Sequence, residues 1–284
     1  MESYSYKKIK YKEKQFDIKL NIYRALSEEK GIILYFHGGG LIYGSRLDLP
    51  RLHKEKLRSK GYTIISFDYR LAPESNLDEI LSDVKDAVNF FLDNRKELKL
   101  SNSPYFLWGR SAGAYLALML SNMKFQEQAN GVISFYGYAF TVENWFNNPS
   151  PFYLKYPNIK EDLIENKIGE HPISVGDINK RFLIYLYARQ SGKWLSILTN
   201  QSLDDFLNKY SLKYLEVNFT PAFFAYSFKD TDVPFRESIE LAKRFHDSST
   251  YTNSLDAHDF DRDEKSSQTK HLLNKMVEFL DSSI

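Results

Sequence analysis

Three stretches of this sequence bring together residue types that could carry out acyl transfer. The first is GRSAG at residues 109–113, which sets Ser111 between glycines, after the apolar run YFLW and before an Ala- and Leu-rich stretch. A serine on a strand-to-helix turn has its hydroxyl lifted above the sheet edge, and small neighbours are needed where strand and helix crowd together. The helix start behind it supplies backbone N–H groups and a field that favours developing negative charge. The second stretch is HGGG at residues 37–40, ending the apolar run GIILYF. Gly38 and Gly39 can turn their N–H groups toward a carbonyl oxygen because no side chain obstructs them. Losing one such donor typically raises an acyl-transfer barrier by about 3 kcal/mol. His37 reads as a structural residue at the strand end.

A serine hydroxyl is a weak nucleophile until a base takes its proton. Of the six histidines, His53, His246 and His271 fall in predicted helices among charged neighbours and are expected to face solvent. His171 precedes Pro172 in an irregular stretch. His258 lies in DAHDF at residues 256–260, a loop between the last predicted strand and the last predicted helix. Loops at the C-terminal ends of parallel strands gather on one edge, so His258 is the candidate base. The acid that fixes its tautomer should follow another strand. After the apolar run at 222–226 comes SFKDTDVP, which offers Asp230 and Asp232. Asp230 is favoured and Asp232 stays open. The chain order Ser, Asp, His is one that strand-turn-helix serine nucleophiles use.

These residues need elements to hold them. Near the N-terminus, Tyr4, Tyr6, Ile9 and Tyr11, then Phe16, Ile18, Leu20 and Ile22, alternate as two strands of a hairpin turning near Lys12 to Lys14. Apolar runs at 31–36, 62–67, 105–108, 132–135 and 222–226 read as buried strands, with a further short strand near Tyr251. Between them, residues 49–60, a face from Leu77 to Phe91, 111–123, 236–246 and 265–280 read as helices. Strand and helix in alternation predict an α/β fold with a mainly parallel central sheet covered on both sides. From about 138 to 215 the rhythm breaks, with helical segments at 180–187 and 202–210 and a capping-box pattern from Ser202 to Asp205. This stretch is expected to be a helical insertion lying over the sheet as a lid. The chain 1–284 then forms one domain.

Composition narrows the function classes. The chain has 284 residues, 43% hydrophobic and 26% charged, an ordinary globular balance. Net charge is +1, with 38 basic and 37 acidic residues scattered along the chain, so there is no electrostatic footprint for nucleic acid. Cysteine is absent, which removes disulfides, thiolate metal sites and cysteine nucleophiles. The first residues are too charged for the apolar core of a secretory signal, and no apolar run approaches the roughly 20 residues that span a bilayer. A cytoplasmic protein is expected. Aromatic content is high, 15%, and Tyr138, Phe140, Trp145, Phe146 and Trp194 in the insertion are candidates for an apolar substrate pocket, Tyr138, Trp145 and Trp194 foremost.

Taken together, HGGGLIYGS (37–45), DYRLAPE (68–74), GRSAG and the late Asp and His-x-Phe resemble the hormone-sensitive-lipase branch of the α/β-hydrolases. The resemblance runs from about residue 31 to the C-terminus. It implies the α/β-hydrolase fold and a serine carboxylesterase or lipase acting on short- or medium-acyl esters without metal or other cofactor. By match, Ser111, Asp230 and His258 would form the triad, with Gly38, Gly39 and Ala112 as oxyanion donors. Three positions depart from the branch: Arg110 stands where an acidic residue is usual, Ala114 follows the second glycine, and the acid loop lacks the form Asp-x-Leu-x-Asp. The same triad would serve an amidase, peptidase or acyltransferase, and some relatives are non-catalytic small-molecule receptors. The expected partner is a small-molecule ester; a homodimer through an exposed final strand is possible in this architecture.

Overall fold

Alternation near the N-terminus folds as two antiparallel strands, β1 (Glu2–Tyr11) and β2 (Lys14–Tyr23), turning at Lys12, which has φ 53°. The apolar phase of β1 switches from even to odd positions between Tyr6 and Ile9, and the pairing register shifts at the same place, between Ser5 and Lys7. An extra residue there returns the later side chains to the core face, so the phase break in the sequence is a β-bulge in the fold. The computed structural model describes residues 1–142, 144–214, 221–245 and 247–284.

The apolar runs form β3 (Gly31–Phe36), β4 (Tyr62–Phe67), β5 (Tyr105–Arg110), β6 (Gly131–Phe135) and β7 (Ala222–Ser227), each buried along its whole length. With β8 (Ser248–Asn253) at the edge, the described residues make an eight-stranded sheet in the order β1-β2-β4-β3-β5-β6-β7-β8. All neighbours from β4 onward in that order are parallel, while β1 and β2 pair antiparallel. Period-two geometry divides the core. Ile32, Leu34 and Phe36 join one apolar cluster while Ile33 and Tyr35 join the other, as Leu107 and Trp108 do on β5. Strands buried on both faces cannot alternate polar with apolar, which is why they read as continuous apolar runs.

Helices follow the strands: α1 (Arg51–Ser59), α2 (Leu77–Asn94) and α3 (Ala112–Ser121) come after β3, β4 and β5. Between β6 and β7 lie α4 (Asp162–Glu165), α5 (Ile178–Ser191), α6 (Trp194–Leu198) and α7 (Leu203–Tyr210). Then α8 (Arg236–Arg244) precedes β8 and α9 (Ser267–Ser282) closes the chain. One sheet face is covered by α2 and α3, the other by α1 and α9, through residues such as Val84 and Leu116 or Leu57 and Met276. Two predicted bounds, His246 at the end of a helix and Leu215 at the end of the insertion, lie outside the described residues. Helix α5 is longer than the predicted 180–187 because Asp177 caps its start and Gly192, at φ 71°, ends it. The expected capping box on α7 is half formed. Ser202 Oγ accepts from the Asp205 N–H at 3.2 Å, but the Asp205 carboxylate takes the Ser202 hydroxyl, 2.6 Å, instead of returning to its N–H. Among the described residues, no helix is long and apolar enough to cross a membrane.

Candidate active site

Ser111 stands between β5 and α3 at φ 53°, ψ −121°, a conformation that costs a non-glycine residue about 1–3 kcal/mol and persists only where the surroundings enforce it. The enforcement is steric. A β-carbon at residue 109 would lie 2.0 Å from the backbone carbon of Gly113, and one at residue 113 would lie 2.0 Å from the Phe36 carbonyl oxygen. The two glycines therefore let β5, α3 and β3 meet in a space that closes on any side chain, and the chain must turn sharply between them. The Ser111 N–H is anchored to the Phe135 carbonyl at 2.9 Å. Ala112, buried, opens α3, where N–H groups run out of intrahelical partners.

At this turn the structure brings together residues far apart in the chain. His258 Nε2 lies 2.8 Å from Ser111 Oγ, and its Nδ1 lies 2.8 Å from Asp230 Oδ2. A carboxylate can only accept, so Nδ1 carries a hydrogen in either charge state, and in the neutral imidazole Nε2 is left to accept from the serine hydroxyl. Asp230 Oδ1 in turn accepts from the N–H groups of Asp232 and Val233, at 2.8 and 2.9 Å. Asp232, the alternative acid, is turned elsewhere: both its oxygens accept from the Tyr185 hydroxyl, at 2.9 and 2.8 Å. Burial opposes charge on His258, but Asp230 and, less closely, Asp232 and Asp259 outweigh it, and the pKa is pushed up to about 9. Phe260, two residues on, is buried against Tyr136, whose ring also meets the His258 imidazole edge-on at 4.7 Å.

A cavity of about 660 Å³ opens in front of Ser111 and His258, bordered by the backbone of Gly38, Gly39 and Gly40 and by the rings of Tyr43, Tyr136 and Tyr185. Gly39 has φ 112°, and a β-carbon there would sit 2.0 Å from the Tyr43 carbonyl oxygen, so the loop closes on itself only with glycine. His37 is buried and stacked on Tyr69 at 4.3 Å, its pKa lowered by that burial, and is a structural residue. Such a site can pass a proton from Ser111 to His258, with Gly38, Gly39 and Gly40 bordering the same space.

Arg110 carries a network of its own. Its Nε and a terminal nitrogen meet Asp261 at 3.0 and 2.9 Å, while Tyr136 Oη and His53 Nε2 reach the same carboxylate at 2.7 and 2.8 Å. Burial would raise the Asp261 pKa, but the Arg110 charge and these hydrogen bonds hold it well below the usual carboxylate range. His53 was expected at the surface and is fully buried; its charged sequence neighbours are misleading because its partner lies 208 residues away. His171 and His271 are exposed. The aromatic residues expected in a pocket also lie elsewhere. Tyr138 and Trp194 are buried, Trp145 is partly buried, and with Phe140 and Phe146 they pack on one another; none of them borders the cavity at Ser111. Apolar rings of the insertion gain more by closing its own core than by lining a solvent-filled space.

The model of the BD-FAE family matches residues 20–245, most of the described sheet and every strand from β3 to β7. The chain belongs to the BD-FAE family. Two solved structures show how far this BD-FAE member shares its fold. A protein of unknown function from Staphylococcus aureus is 31% identical over 100% of both chains, with a TM-score of 0.86. An α/β-hydrolase superfamily protein from Enterococcus faecalis is 28% identical, covering 93% of this chain and 95% of its own, with a TM-score of 0.81. The fold is that of the α/β-hydrolases. Among curated proteins, an acetyl esterase from Salmonella schwarzengrund is 29% identical over 102 residues, 36% of this chain and 32% of its own length. The chain thus spans about a third of the length of that relative.

Sequence reasoning missed Asp261, Tyr136 and His53 as neighbours of the site in this BD-FAE chain, and Tyr43 and Tyr185 as cavity walls. The one available signal was Arg110: a buried guanidinium beside a serine requires a carboxylate partner, and the sequence does not say which.

Proposed function

We propose that this protein is a serine carboxylesterase that forms an acyl-enzyme on Ser111. The observation that carries this reading is the continuous hydrogen-bonded chain from Asp230 through His258 to Ser111 at an open cavity. Ser111 Oγ attacks the ester carbonyl carbon as its proton passes to His258 Nε2. The resulting imidazolium is stabilised by Asp230, and the oxyanion is held by the N–H groups of Gly38, Gly39 and Ala112. His258 gives the proton to the departing alkoxide as the carbon–oxygen bond breaks. Water, deprotonated by the same imidazole, then attacks the acyl group, and Ser111 leaves with its proton restored.

We read the substrate as an ester of a short or medium acyl group, in keeping with the similarity to an acetyl esterase and with the motif blocks that resemble the hormone-sensitive-lipase branch. The chemistry requires no cofactor. We also read residues 1–284 as one α/β-hydrolase domain into which residues from about 138 to 215 are inserted over the Ser111 edge. The test is hydrolysis of p-nitrophenyl esters of increasing acyl length by the wild type and Ser111→Ala. Wild-type turnover with an optimum at short or medium acyl length, vanishing in the variant, is expected. Turnover that survives in Ser111→Ala, or no ester turnover together with no labelling of Ser111 by a fluorophosphonate, would remove this reading.

A further inference from the structure

Helix α5 of the inserted segment touches the site at both ends of one face. Arg181, Tyr185 and Arg189 fall at i, i+4 and i+8, on one stripe about 12 Å long. Arg181 donates to the carbonyls of Ile42 and Ala72, at 2.6 and 2.7 Å, and pairs with Glu74 at 2.6 Å, so it grips the segment that follows the glycine loop. Arg189 donates to the Asp232 carbonyl at 3.0 Å and faces its carboxylate at 3.4 Å, so it grips the acid loop. Tyr185, between them, does both. Its ring fills the space a β-carbon at Gly40 would need, 2.4 Å away, while its hydroxyl donates to Asp232. The chain around α5 adds to the grip: Gly44 and Gly176 exchange backbone hydrogen bonds at 2.8 and 3.0 Å, and the Trp194 indole donates to the Gly40 carbonyl at 3.1 Å.

The glycine loop follows β3 and the acid loop follows β7, three places apart in the sheet order. Apart from the sheet, their separation depends on what bridges them. We propose that α5 is a splint, with Arg181, Tyr185 and Arg189 as positioning residues that hold the oxyanion loop and the acid loop at the spacing acyl transfer needs. This rests on the esterase reading above. Its specific route on the acid side is short: Tyr185 and Arg189 fix Asp232, whose N–H, with that of Val233, holds Asp230 Oδ1 and so aims Oδ2 at His258.

The two ends of the splint predict different signatures. His258 is faced by Asp230 and Asp232 from the acid loop, Asp259 from its own loop, and Ser111 and Tyr136 from the sheet side. Loosening the acid loop weakens only the first two. Tyr185→Phe, which keeps the ring and removes the hydroxyl, should lower kcat by about tenfold to a hundredfold with KM within about twofold. It should also move the His258 titration midpoint, read by NMR of the histidine ring without substrate, down by about half a pH unit or more. Arg189→Lys, which keeps the charge beside Asp232 but gives up the planar guanidinium that grips the loop, should do the same. Arg181→Lys should lower kcat and leave the midpoint where it is, since it acts on the oxyanion side. Unchanged His258 midpoints in folded Tyr185→Phe and Arg189→Lys would overturn the splint whatever the turnover. So would equal midpoint shifts in all three variants. A wild type that neither turns over esters nor reacts with a fluorophosphonate would overturn the esterase reading alone, since the NMR arm still decides the splint.

Discussion

Arg110, next to Ser111, and Arg189, on the inserted α5, are both buried, yet they are kept buried by different means. Arg110 meets a carboxylate whose sites are filled: Asp261 accepts two bonds from Arg110 and one each from Tyr136 and His53. Among the described residues the Arg189 guanidinium has one hydrogen bond, to the Asp232 carbonyl, faces the same residue's carboxylate at the looser distance of 3.4 Å, and is otherwise pressed between rings, 4.9 Å from Trp145, 5.2 Å from Trp194 and 5.7 Å from Tyr153. Among the described residues its Nε has no hydrogen-bond partner. The sheet side of the site is thus an electrostatically closed unit, intolerant of losing any member. The inserted side rests on ring packing, cation–π attraction and the looser contacts of Arg189 with Asp232, which degrade in smaller steps.

That contrast can be tested from its largest expected effect downward. Ser111→Ala should leave folding intact and reduce kcat by roughly 10⁴-fold or more in acyl transfer; comparable turnover would mean that neither arginine serves a nucleophile at this turn. Next, Asp230→Asn should cost far more activity than Asp232→Asn, because only Asp230 touches His258. The reverse ranking would exchange their roles. On the stability axis, Arg110→Met strands a buried carboxylate and should cost about 3–5 kcal/mol in urea unfolding. Arg189→Met leaves Asp232 bonded to Tyr185 and should cost about 1–3 kcal/mol. Equal losses would erase the distinction between the two regions. The smallest effect is a displacement in pH. Neutral imidazole is the active form, so a raised His258 pKa means that kcat/KM is lost as pH falls through a limb above the ordinary 6.5, toward 9. A limb at or below 6.5 would show that the acid-loop carboxylates do not hold the imidazolium.

The parts of this molecule that could be read early are those governed by neighbours in the chain. Apolar runs of four to six residues announced the buried strands, and alternation near the N-terminus announced the β1–β2 hairpin. Gly109 and Gly113 announced a crowded turn, since only glycine leaves room for two backbones at contact. Between Asp230 and Asp232 the sequence left the matter open, and the structure sets Asp230 against His258. The aromatic residues of the insertion misled for the complementary reason. Tyr138, Trp145 and Trp194 have the composition of a pocket lining, but composition carries no direction, and their rings turn toward Arg189 and one another.

The sequence by itself determined the strand–helix alternation, the Ser111 turn and the order of the three residues that meet there, because backbone sterics and period-two burial act over a few residues. Only the tertiary structure decided that Asp261 neutralises Arg110 across 151 positions, that His53 is interior, and that one stripe of α5 ties the glycine loop to the acid loop. Those pairings are set by where the sheet order places distant strand ends. A buried charge requires a partner, but the chain's local pattern does not say which residue the fold will bring to it.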